Sequence, residues 1–183
     1  TQRSTLFPYT TLFRSHLEVY GLNSAWLGSR HANPDTTLLG REQVLGIVRD
    51  AAGAPRPGLR VALVHHPPAA LADADACVRV LDGAVDLVLC GRAPHPRLEE
   101  LVAGTRVFAA GSLSGGSAGS PSCQLIQIET DAAGRPIGFA ARIWTWSSAG
   151  SCWLNDAPEL PAARRGRLYW SGTAPAAIRN APP

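Results

Sequence analysis

The chain has 183 residues, enough for one domain with a proper core, and its formal charge of +3 is carried entirely by arginines, with no lysine anywhere. That balance excludes a polyanion-binding surface of the nucleic-acid type, and no apolar run approaches the roughly twenty residues that cross a bilayer. The sequence contains no methionine.

The first fifteen residues differ in composition from the rest. Arg3 to Ser15 resembles the in-frame translation of a short-read sequencing adapter, so residues 1–15 are expected to be an artefactual leader, and the natural sequence to start near His16. Without Arg3 and Arg14 the formal charge drops to +1, because no acid lies in that segment. Four widely spaced cysteines, Cys77, Cys90, Cys123 and Cys152, form no Cys-x-x-Cys pair, which favours a reducing, cytoplasmic setting.

From His16 to Trp26 apolar and polar residues alternate and then break at Gly21 and Asn23, as in a strand ending in a loop. Ser29 to Thr37 is a polar surface connection. Gly40 to Ala52 places Val44, Leu45, Ile47 and Val48 at helical spacing and predicts a helix packed on a sheet. Arg60 to Pro68 reads Arg-Val-Ala-Leu-Val-His-His-Pro-Pro, a buried strand that stops at prolines lacking a backbone donor. Ala69 to Leu81 predicts a second helix, Asp86 to Cys90 a strand, Leu98 to Val102 a short helix, and Arg106 to Ala110 another strand. Strands alternating with helices indicate an α/β fold.

Beyond Gly111 the pattern changes. A Gly/Ser loop from Ser112 to Pro121 leads into Cys123–Glu129 and Gly138–Trp146, which alternate with period two and predict an antiparallel hairpin, making the sheet mixed. Trp144 and Trp146 share one face and are expected in the core. From Ala157 to Pro183 the composition predicts a loosely ordered tail, leaving residues 16–156 as the domain.

The chemistry should lie at the strand ends. His65 and His66 close one buried strand, and Arg92-Ala-Pro-His-Pro follows the next. A rigid proline turn after an imidazole holds its orientation, as a metal ligand or acid/base group requires. Gly111-Ser-Leu-Ser-Gly-Gly116 has neither dinucleotide-loop spacing nor a P-loop lysine, and no cysteine has a basic partner in sequence.

The order strand-His-His-Pro-Pro, helix, strand Asp-Leu-Val-Leu-Cys-Gly, loop, short helix, Ala-Ala-Gly-Ser and closing hairpin resembles the C-terminal half of a calcineurin-like metallophosphoesterase, over about Leu17 to Asn155. The resemblance implies a truncated αββα sandwich of facing mixed sheets. It also implies a parent that hydrolyses phosphate mono- or diesters with two divalent metal ions (Mn, Fe or Zn) and a metal-bound water. His65 matches the ligand of the family's strand-His-x-Pro motif, and His66 the variable place beside it. The family's Gly-His-x-His is replaced by Gly91-Arg92-Ala93-Pro94, with His95 one residue out of register as a substitute metal ligand. Arg92 and His66 are then candidates to bind the phosphoester substrate. The family's upstream Asp-x-His, Gly-Asp-x-x-Asp and Gly-Asn-His motifs are absent, which implies a missing N-terminal half and a fragment inactive by itself, with no catalytic residue assigned. The alternative is a degenerate phosphoesterase fold with a binding or regulatory role.

Overall fold

In a computed structural model, residues 17–25, 37–48, 58–93, 95–111, 113, 121–132, 136–156, 160, 163 and 165–171 are described. The expected leader lies outside them, as do most of the polar connection before Thr37 and most of the Gly/Ser loop.

The fold is α/β, built on two sheets. The first has strand order β1 (Leu17–Leu22), β2 (Leu59–Val64), β3 (Leu87–Cys90), β5 (Arg106–Ala109) and β4 (Arg97–Glu100). Its first four members run parallel, and β4 lies antiparallel on the β5 edge. In β2 the residues Ala62 and Val64 point to one face, while Leu59 and Val61 point to the other. Helices α1 (Arg41–Val48) and α2 (Ala74–Leu81) cover the first face, where Val44, Cys77 and Leu81 are buried with Tyr20, Val64 and Val88. A sheet buried on both faces needs continuous apolar strands, which explains the near-unbroken Val-Ala-Leu-Val and Leu-Val-Leu-Cys runs.

The second sheet is antiparallel throughout. β6 (Ser122–Thr130) pairs with the long β7 (Pro136–Ser147), whose other edge takes β8 (Cys152–Leu154) and β9 (Arg167–Ser171). Phe139, Ala141, Ile143 and Leu168 pack on Leu59, Val61, Leu87 and Phe108 of the first sheet, forming the layer between the two. Phe108 is fully buried there, a contribution of about 1.5–3 kcal/mol for a side chain of its size.

Five expectations are revised. The expected short helix at Leu98–Val102 is strand β4, because Leu98 turns inward opposite Phe108 while its neighbours pair with β5. The hairpin does not extend the first sheet but starts a second one stacked on it. Trp144 and Trp146 share a face, as expected, but it is the one opposite Ile143, so they lie outside the core; Trp146 meets Trp153 edge-on with centroids 5.5 Å apart. The tail is not loose throughout: β9 pairs with Gly138–Arg142, and Leu160 and Leu168 are buried. The second predicted helix is also shorter than expected, a 3-10 turn at Pro68–Ala70 followed by α2.

Candidate functional site

At the C-terminal end of β2 the period-two alternation continues for two residues past the last ladder pair. It leaves His65 exposed and His66, among the residues of the helix side, 7% exposed. The two rings meet edge-on with centroids 4.7 Å apart. The backbone carbonyl of His65 accepts from the Gly91 N–H at 3.2 Å, tying the ends of β2 and β3 together.

His66 is held at both ring nitrogens. Its Nδ1 lies 2.8 Å from Ser24 Oγ and its Nε2 lies 2.6 Å from Arg92 Nη1. A guanidinium can only donate, so Nε2 is the acceptor, the proton resides on Nδ1, and Nδ1–H donates to Ser24 Oγ. Burial, the neighbouring His65 and the Arg92 charge all lower the His66 pKa from its ordinary value, in that order of weight. The imidazole is therefore neutral at physiological pH, with its tautomer assigned by its partners.

Each member of this chain is positioned by the local fold. Ser24 is 1% exposed, in the turn after β1. That turn is clamped to α1 by Gln43, whose amide oxygen accepts from Asn23 N–H at 2.8 Å and whose amide nitrogen donates to Asn23 O at 3.1 Å. The start of α1 is fixed in turn by Asp73, which accepts from the N–H groups of Leu39 and Gly40 at 3.1 and 2.8 Å and from the Cys77 thiol at 3.1 Å. Burial alone would raise the Asp73 pKa, but these hydrogen bonds outweigh it and the net direction is down.

Arg92 has φ +52, a left-handed conformation that costs a non-glycine residue about 1–2 kcal/mol. The strain lies at the residue whose side chain reaches back to His66, a common place for it at ligand sites.

These groups head a groove of about 360 Å³ on the helix side of the first sheet. Its floor is Cys90, Ala93, Val107 and Ala109, one wall is the turn from Pro67 to Ala70 with Thr37, and the opposite rim is Arg97 and Glu99 of β4. Burial and the Glu99 carboxylate push the Cys90 thiol up to about 12, so it is a neutral part of the floor.

Elsewhere arginines meet acids: Arg60 lies 3.5 Å from Asp86, and Arg106 lies 3.6 Å from Glu100. Among the described residues neither Arg92 nor Arg97 has a carboxylate partner.

The donor set does not fit a two-metal centre. Both nitrogens of His66 are engaged, Arg92 stands at the first position of the Gly-His-x-His segment, and His95 lies half-buried in the β3–β4 connection. Among the described residues no group of three or more His, Cys, Asp or Glu side chains could hold a metal ion. Of the four sequence-predicted site residues, the fold brings His66 and Arg92 into one hydrogen-bonded unit. His65 touches that unit through its ring and is not among the residues lining the groove.

Ser24 is a member of this hydrogen-bonded unit that motif reading misses, since its link to His66 spans 42 positions. The side His66 faces, by contrast, follows from strand parity with Val64.

No helix among the described residues is long and apolar enough to cross a membrane. No family model matches the sequence, and no curated protein does. Among solved structures the chain is similar to wild-type Vps29 complexed with Zn2+ from Entamoeba histolytica, at 16% identity and a TM-score of 0.31, over 40% of this chain and 41% of that one.

Proposed function

We propose that the chain is part of a phosphoesterase-type domain that binds a phosphate-bearing ligand without metal-dependent hydrolysis. The observation that carries this reading is the Ser24–His66–Arg92 unit at the head of the groove. A neutral imidazole orients the Arg92 guanidinium but leaves its charge uncompensated, and the remaining N–H donors form the planar fork that suits a phosphate oxygen pair. In this reading His66 and Ser24 are positioning residues, and Arg92 is the contact residue. The four free cysteines support a reducing, cytoplasmic setting.

The test is titration calorimetry of the full chain with inorganic phosphate. Arg92→Asn is the informative variant, because asparagine accepts the left-handed backbone while removing the guanidinium. Loss of a charge-assisted pair of hydrogen bonds should weaken binding about tenfold or more. Equal affinity in the two proteins would sink the proposal.

A second reading, a metal-dependent phosphomonoesterase or diesterase parent, draws on His65, which is exposed just beyond the end of β2. It requires ligands upstream of His16 in the source gene. Sequencing that region for Asp-x-His, Gly-Asp-x-x-Asp and Gly-Asn-His motifs decides between the two.

A further inference from the structure

The groove continues well beyond Arg92, and its continuation has a composition of its own. The floor residues Cys90, Ala93, Val107 and Ala109 are each 3–4% exposed, and all are small. With Ala69 and Ala70 on the wall they leave a shallow apolar surface with few branches, the shape that accepts a flat ring. The polar groups sit only at the head and along the rim: Arg92 at one end, then Arg97, with Glu99 as the acid on the same rim. Two guanidiniums against one carboxylate leave a net positive groove even with His66 neutral. A phosphomonoester presents three terminal oxygens, enough to meet both guanidinium forks, where a carboxylate has two.

We propose that this groove takes a phosphomonoester with a compact, flat apolar body, its phosphate between Arg92 and Arg97 and its body on the floor formed by Cys90, Ala93, Val107 and Ala109. The site opens on the helix side of the first sheet, and His65 is not among the residues that line it. The inference rests on the phosphate-binding reading above and adds the class of ligand.

Phenyl phosphate and inorganic phosphate are the probes, titrated into the full-length chain by calorimetry and by amide shift mapping. Burying one face of a ring should make phenyl phosphate bind about tenfold tighter than inorganic phosphate, with amide shifts at Ala93 and Ala109. Ala70→Leu, at an exposed position on the wall, fills the groove without disturbing the core. It should bring the ratio of the two affinities close to one.

If the wild-type ratio is already near one, or if Ala70→Leu leaves it unchanged, the ligand class is wrong although phosphate binding stands. If neither probe binds, the underlying reading falls and this proposal falls with it.

Discussion

Neutral His66 is the residue on which the site turns, because an imidazolium could not accept from Arg92. The unfolded chain holds its histidines near 6.5, and His66 in the fold is lower, first through burial and then through His65 and Arg92. Between those two values the unfolded chain binds a proton that the folded chain does not. Its contribution to stability is therefore complete above pH 6.5 and is lost as pH falls through the folded value. Ring-proton NMR should place the His66 midpoint below 6.5, and Arg92→Asn should move it upward only in part, since burial and His65 remain. A midpoint that rises all the way to the ordinary value in Arg92→Asn would mean that burial is not the main cause. A midpoint at or above 6.5 in the wild type would mean that Nε2 does not accept from Arg92.

At the scale of elements, the strands with the strongest apolar runs were legible in the sequence, and the exceptions have identifiable causes. β2, β3 and β5 are buried on both faces except at Leu63, near the end of β2, so Val-Ala-Leu-Val, Leu-Val-Leu-Cys and Val-Phe-Ala admit few other readings. β4 does not carry such a pattern: Leu98, Leu101 and Val102 mimic a helical turn, and only the ladder with β5 decides otherwise. β9 hides in an Ala/Pro/Arg/Gly-rich stretch, and its signal is Leu168 and its aromatic neighbours after the Arg165–Gly166 turn. That turn is the determinant of β9. Gly166 has φ +65, and its carbonyl accepts from Ile143 N–H at 2.7 Å. A Cβ there would lie 2.6 Å from the Asn155 carbonyl carbon and 2.7 Å from the Ile143 oxygen. Gly166→Ala should cost about 1–2 kcal/mol in backbone strain and about 1–3 kcal/mol in displaced backbone. The loss should be local: amide exchange at Ile143 and Leu168 accelerates while the β6–β7 ladder keeps its protection. Unchanged exchange at both would show that β9 docks independently of its turn.

At the scale of the whole molecule, what the sequence leaves unread is the assembly of the site. Ser24, Thr37, His66, Arg92 and Arg97 come from five separate segments, and the sheet order β1-β2-β3-β5-β4 gathers them. Ligand linkage tests that assembly on the intact fold. A ligand that binds only the folded state at a hundred times its dissociation constant adds about 2.7 kcal/mol of stability, which for a chain of this size raises the melting temperature by about 5–10 °C. Phosphate and other strongly hydrated anions also stabilise proteins with no site at all, through exclusion from the surface, so a rise in the wild type alone decides nothing. The deciding quantity is the difference between wild type and Arg92→Asn at the same phosphate concentration, since exclusion acts equally on both. Phosphate should raise the wild-type melting temperature by several degrees more than that of the variant. Mn2+ should move neither, because the described donors form no group of three. Equal shifts with phosphate would reduce the groove to a surface feature, and a clear rise with Mn2+ would return the metal-dependent reading to first place.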